Sequence, residues 1–243
     1  MVPTSPVPAA RFVRVRHAGT DRRLVLLDVH TRERYVELVA RSAEAIEELL
    51  SPAVMANRIS SWSIRPPRLA LRPWRLERRL FAARLAGLAG RRAPVAFADV
   101  RRCFASMSPA IVGDALRRAG IPTACEVQGF LAGLERVGVE GLPVGPDASA
   151  VLANAVLAQV DRTLREAGVE HLRWVDDVVL SGVDAETALS VFRAALASIG
   201  LRANETKTRI VPDAGGLGPA DAVSGDRWPH PSGRRASRPV VRG

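Results

Sequence analysis

The chain has 243 residues, 47% of them apolar, 5% aromatic, with a formal charge of +10; this suits one large domain or two small ones around a core of Leu, Val and Ala. No apolar run approaches the ~20 residues of a membrane helix, the opening MVPTSPVPAARFVRVR lacks a signal-peptide stretch, and Cys103 and Cys125 form neither a CxxC pair nor a disulfide framework. A cytoplasmic protein with no membrane partner is expected, and the charge fits either a polyanion partner or plain arginine enrichment on solvated faces, because residues 1–92 carry 18 Arg against eight acids while residues 93–211 carry 12 Lys and Arg against 14 acids.

In chain order, RFVRVRH (11–17) alternates like a strand, AGTDRR is a turn candidate, and LVLLDV (24–29) reads as a second strand. A helix is predicted from about Arg32 to Leu50 with Tyr35, Leu38, Val39, Ala45, Ile46 and Leu49 near one face. Residues 51–75 are interrupted by Pro66, Pro67 and Pro73, and Trp74 to Ala89 is helical again. PVAFADV (94–100) is a short buried strand. Ser108 caps a helix that opens with Pro109 and runs to Arg118. Further helices span about Ala124 to Arg136 and, after GLPVGPD, about Ala148 to Ala167. HLRWV (171–175) and VVLSG (178–182) form a hairpin with Asp176 and Asp177 at its tip. Asp184 caps a helix to about Ile199, TKTRIV is a last strand, and residues 212–243 read as a disordered Pro-, Gly- and Arg-rich tail.

The chemistry concentrates in two places. In WVDDVVLSG two acids stand side by side, where repulsion costs free energy unless a cation offsets it; a hairpin tip prefers Asn-Gly or Asp-Gly. In FADVRRCF, Asp99 ends an apolar strand and Phe104 follows past the turn. Each signal alone also fits an ordinary acidic turn or strand end, and Cys103 reads as a small core residue. Together they supply three hard carboxylates, the donors Mg²⁺ takes, and phosphoryl transfer uses two such ions roughly 3.5–4 Å apart. Of 35 cationic side chains only Lys207 is a lysine, and lysine, unlike arginine, can give up a proton.

Residues 94–211 resemble the palm of reverse transcriptases, motif by motif and in order. FADVRRCF is similar to the first palm motif, GLPVGPDASAVLAN (141–154) to the Leu-Pro-Gln-Gly segment and its helix, WVDD to Tyr-X-Asp-Asp, and GLRANETKTRIV (200–211) to the Gly-Leu-X-X-Asn segment leading to Lys-Thr. The resemblance implies an α/β (α+β) fold: a palm with an antiparallel sheet and packed helices at 93–211, fingers helices inserted at about 109–140, a mostly helical fingers region with a basic hairpin at 1–92, and no recognisable thumb. It implies RNA-directed DNA polymerase activity, with Asp99, Asp176, Asp177 and Lys207 catalytic. Asp99, Val100, Asp176 and Asp177 would hold two Mg²⁺ ions, with Mn²⁺ as a substitute. Arg22, Arg23, Phe104, Val144 and Gly145 would bind the nucleotide, Phe104 as the gate against a ribose 2′-hydroxyl. Partners would be an RNA template, a DNA or RNA primer and dNTPs, with a noncoding RNA or a protein in place of the thumb.

Three departures matter. Val144 stands where many relatives carry Gln, Trp174 replaces Tyr, and Ala150 follows Ser149 where Pro is common. The Gly-Pro-Asp-X-Ser form resembles bacterial defence-associated and abortive-infection reverse transcriptases, which points to an antiviral role. These departures leave open a template-independent or protein-primed DNA polymerase, and a non-catalytic nucleic-acid-binding palm subunit.

Overall fold

In the computed structural model, which describes residues 10–17, 20–91 and 93–216, the first strand forms as β1 (Ala10–His17) and pairs antiparallel with β2 (Thr20–Leu27). The turn is shorter than AGTDRR, because Asp21, Arg22 and Arg23 already pair with Arg16, Val15 and Arg14. The helix expected over 32–50 starts earlier and divides into α1 (Val29–Ala40) and α2 (Ala43–Leu49). Asp28 caps α1 by accepting the Thr31 N–H at 3.1 Å. The break falls at Arg41 and Ser42, where the Ser42 hydroxyl donates back to the Leu38 carbonyl, a local alternative to continuing the ladder. Tyr35, Leu38, Val39 and Ile46 are buried as the periodicity predicts.

The proline-interrupted segment holds a hairpin the sequence did not reveal: β3 (Ile59–Ile64) and β4 (Pro67–Leu71), joined at Arg65 and Pro66. Pro67 opens β4, a position where a strand tolerates a residue without an N–H. Next come α3 (Trp74–Ala89), β5 (Val95–Asp99), the short α4 (Cys103–Ser106) and α5 (Pro109–Arg118). The Ser108 hydroxyl caps α5, accepting the Ile111 N–H at 3.3 Å. They are followed by α6 (Ala124–Arg136), α7 (Asp147–Glu166), β6 (Glu170–Trp174), β7 (Asp177–Ser181), α8 (Ala185–Ser198) and β8 (Arg209–Val211). Asp184 caps α8 through the Thr187 N–H at 2.8 Å. The last strand is shorter than TKTRIV because Lys207 and Thr208 turn back onto the Asn204 carbonyl. Ala214–Gly216 is a 3-10 turn; from residue 217 the tail predicted to be disordered lies outside the described residues.

One four-stranded sheet organises the second half, in the order β6-β7-β5-β8 with every neighbour antiparallel. Every residue of β5 is buried, so the sheet is covered on both faces. Side chains alternate along a strand. Ala96, Ala98, Val178 and Leu180 face the main core with α7 and α8, and the small alanines let the helices approach closely. Val95, Phe97, Leu172 and Val179 face the other way, against Phe81 and Leu85 of α3.

Candidate active site

Register puts the acids on the α3 side of the sheet. Trp174 pairs with Asp177, and Asp177 with Asp99, so these three form one cross-strand row. The next row, Leu172, Val179 and Phe97, is apolar, with the Arg209 guanidinium 4.3 Å over the Phe97 ring. The row is anchored at one end: Trp174 meets Phe81 edge-on at 5.7 Å, and Arg78 lies 5.5 Å over the indole. Like charges directly opposite each other on a sheet are destabilising, so Asp99 facing Asp177 is a costly arrangement that packing alone does not call for.

The hairpin tip differs from expectation by one residue. The two loop residues are Val175 and Asp176, and Asp177 already belongs to β7. Val175 takes φ +59, the left-handed region that a β-branched side chain disfavours. This shift separates the two acids: Asp177 is fixed by strand register, whereas Asp176 hangs from a strained turn whose carbonyl accepts the Val100 N–H at 3.2 Å.

Asp99 is buried, and both its oxygens are engaged. Oδ1 accepts from Asn204 Nδ2 at 2.8 Å and Oδ2 from Lys207 Nζ at 2.6 Å, while the Asp99 carbonyl accepts the Asn204 N–H at 2.8 Å. Burial alone would lower the Lys207 ammonium; its hydrogen bond and charge contact with Asp99, aided by Asp176 and Asp177, outweigh that and hold it above its ordinary value. Lys207 is thus a counter-ion to the acids, and its proton is held rather than loosened. Burial, then the charges of Asp177 and Asp99, push Asp176 up to about 7, against weaker lowering by its own backbone and Lys207. Cys103 is buried just past Asp99; burial and the nearby Asp176 and Asp99 raise its thiol well above its ordinary value, as suits a packing residue rather than a nucleophile.

Among the described residues, no three His, Cys, Asp or Glu side chains converge closely enough to hold an ion as they stand. The chemistry of Asp99, Asp176 and Asp177 still suits one: the charges of Asp177 and Asp99 bear on a buried Asp176, and Asp99 is already held beside the only lysine. A divalent cation would relieve both the repulsion and the raised Asp176.

The nucleotide-site candidates gather around one loop. Gly141, at φ +61, lies so close to the Phe104 and Ala105 carbonyls that any Cβ would strike them, and the Leu142 N–H donates to the Phe104 carbonyl at 2.8 Å. Three residues on, the Val144 carbonyl accepts the Val25 N–H at 2.9 Å, and Gly145 sits beside the Val25 carbonyl. The loop 141–145 therefore touches the backbone of the half-buried Phe104 at one end and the base of the β1–β2 ribbon at the other. Arg23 stacks 3.5 Å over Phe12 on that ribbon. The Arg22 backbone pairs with Val15, and its side chain lies outside the described residues. Ser149, which follows Gly-Pro-Asp-Ala, is buried and bonded to the Tyr35 hydroxyl at 3.0 Å, so it fastens α7 to α1.

Two roles are not legible in the sequence. Asn204, the Asn of the Gly-Leu-X-X-Asn segment, clamps Asp99. Beneath the hairpin, Arg173 is fully buried with Asp161, Asn154 and His171. Asn154 and Asp161 are seven residues apart, on one face of a helix otherwise apolar there; that pair of polar residues was the available signal.

The sequence profile described as reverse transcriptase (RNA-dependent DNA polymerase) matches residues 32–220, more than three quarters of the chain, and leaves out the β1–β2 ribbon. No curated protein sequence matches significantly. The fold is similar to that of a telomerase from Candida albicans in complex with a fragment of telomeric RNA (12% identity, TM-score 0.54), covering 84% of this chain and 42% of that one. It is also similar to an apo telomerase from Candida tropicalis truncated from its C-terminal domain (10% identity, TM-score 0.50), covering 86% and 51%. At such identities the likeness shows the fold: a mixed α/β palm with antiparallel sheets. The chain spans about half or less of each neighbour.

Proposed function

The chain belongs to the reverse transcriptase (RNA-dependent DNA polymerase) family, and on that premise we propose that it adds deoxynucleotides to a 3′ end, copying RNA, with residues 1–92 as fingers and 93–211 as palm. The observation that carries this reading is the cross-strand meeting of Asp99 and Asp177 beside the Asp176 turn. Asp99, Asp176 and Asp177, with the Val100 carbonyl, would hold two Mg²⁺ ions or Mn²⁺ in their place. Bound there, the ions would activate the attacking 3′-hydroxyl and stabilise the leaving pyrophosphate.

The chain's own residues do the rest. Asn204 orients Asp99. Lys207, released from Asp99 once the acids are neutralised, reaches the leaving pyrophosphate as a cation. Phe104 bears on the sugar, its place fixed by Gly141 and Leu142. Arg22 and Arg23, on the ribbon joined to Val144, take the triphosphate with guanidinium donors suited to phosphate oxygens. RNA template, primer and dNTPs are the partners this reading requires, with a further RNA or protein gripping the duplex. A cytoplasmic, antiviral role is part of the proposal on the Gly-Pro-Asp-Ala-Ser motif; loss of phage protection in cells carrying Asp176→Asn would support it.

The test is primer extension with dTTP on an RNA template, alongside the same reaction without template and with Asp177→Asn. Template-dependent product lost in the variant supports the reading. Equal product without template selects an untemplated polymerase. The Lys207–Asp99 pair specifically favours one second reading, a nucleic-acid-binding palm with dormant acids; salt-dependent RNA binding with no product at any primer would establish it.

A further inference from the structure

We propose that Arg173 is a positioning residue: its guanidinium holds the left-handed Val175 turn and so sets where the Asp176 carboxylate stands relative to Asp99 and Asp177. The proposal rests on the reading of those acids as a metal site. Leu172 and Trp174 point toward α3, and Arg173, between them, points the opposite way into α7. There Asp161 receives Nε at 2.9 Å and Nη2 at 2.7 Å, Asn154 Oδ1 receives Nη1 at 2.8 Å, and the Val175 carbonyl receives Nη1 at 2.9 Å. Asn154 is itself fixed, its Nδ2 donating to the Ala56 carbonyl at 2.9 Å and the Asn57 carbonyl at 3.3 Å.

The path from α7 to the turn is therefore short, and Arg173, Asn154 and Asp161 are each 1–2% exposed. Val175 does not favour φ +59 by itself, so the turn needs a hold from outside, and the contact to its carbonyl supplies one. The Asp176 carbonyl is tied on the other side by the Val100 N–H. Asp176 is suspended between these two anchors. A salt bridge serving only the fold would need Asp161 and Asn154; the additional bond to Val175 is what directs the network at the acids.

The experiment measures Mn²⁺ affinity by electron paramagnetic resonance of the free ion, with melting curves, for wild type, Arg173→Lys, Val175→Gly and the double variant. Lysine keeps a positive charge beside Asp161, so folding persists, but a single ammonium cannot span Asp161, Asn154 and Val175. Arg173→Lys should weaken Mn²⁺ binding by about tenfold or more, the usual consequence of losing an outer support of a metal site. Glycine takes the left-handed turn without help. In the Val175→Gly background the loss from Arg173→Lys should therefore shrink to within about threefold, a coupling read by the double-mutant cycle, while the melting temperature stays lowered. Wild-type affinity in a less stable Arg173→Lys would make Arg173 structural only and overturn the proposal, as would an undiminished loss in the glycine background. Should Arg173→Lys not fold, Asn154→Ser keeps the Arg173–Asp161 pair while loosening Nη1; a loss supports the proposal and no loss overturns it. A wild type that neither binds Mn²⁺ nor extends primers fails the metal-site reading and removes both; a wild type that does both, beside an Arg173→Lys equal to it, removes only the positioning role.

Discussion

Replacing Asp176 with Asn should stabilise the metal-free protein while ending the proposed activity, and the stabilisation should depend on pH. Asp176 titrates at about 7 in the fold against an ordinary 3.8. Below 3.8 the carboxyl is protonated in both states and contributes nothing. As pH rises from 3.8 to 7 the unfolded chain gives up the proton first, so the folded state is progressively penalised, and above 7 the penalty is constant. At 1.36 kcal/mol per pH unit the ceiling is about 4 kcal/mol, and solvent reaching the half-buried turn reduces this to roughly 2–4 kcal/mol. For a chain of this size that is roughly 5–15 °C in melting temperature. The assay is thermal melting of wild type and Asp176→Asn in chelator at pH 5 and pH 8. The variant should melt higher at pH 8, the gap should narrow at pH 5, and millimolar Mg²⁺ should raise wild type far more than the variant. A variant no more stable than wild type at pH 8, or a gap that ignores pH, would refute the claim that burial, with the charges of Asp177 and Asp99, raises Asp176 in the folded protein.

The other predictions concern the supports of the site. Asp161→Asn should cost about 3–5 kcal/mol in urea unfolding by leaving Arg173 buried without its partner. Burial would raise Asp161, but Arg173 and His171 outweigh it and hold it below its ordinary value; its contribution is therefore present above about pH 4 and lost on further acidification, and Asp161→Asn should blunt acid unfolding there. Gly141→Ala should destabilise by about 1–3 kcal/mol or more, from the positive φ together with the collision at the Phe104 carbonyl. Phe104→Ala should raise ribonucleotide use relative to deoxynucleotide by about tenfold or more in single-nucleotide extension, the scale of one lost steric contact; an unchanged ratio would remove Phe104 as the gate.

Where the sequence reveals the fold, local and tertiary demands agree. The α6 prediction has the right ends because Val127, Leu131 and Leu134 repeat at helical spacing and are all buried. β5 is legible because an apolar run ends abruptly at Asp99. The β3–β4 hairpin is not, because β3 alternates only over Ser61 to Ile64, its apolar Trp62 and Ile64 face solvent, and Pro66 and Pro67 cut the run. The two-residue tip is misplaced by one because a turn rule assigns positive φ to Asn or Gly, and here Val175 takes it. The three acids and Lys207 are legible as motifs, whereas the Lys207–Asp99 contact across 108 residues is not. Arg173 looks like an ordinary residue in a strand; only the approach of α7 shows that its charge is matched inside the protein.

The pairing of Lys207 with Asp99 also makes the protein chemically addressable. In a chain whose other 34 cationic side chains are arginines, an amine-directed acylating reagent has one side chain to find, and that side chain is about half exposed. Acylation requires the neutral amine, so the bond to Asp99 shields Lys207. Whatever neutralises Asp99 should quicken the labelling. The mass of the peptide that carries Lys207, followed over time and so kept apart from label on the N-terminal amine, then reports the state of the acids without any substrate being turned over.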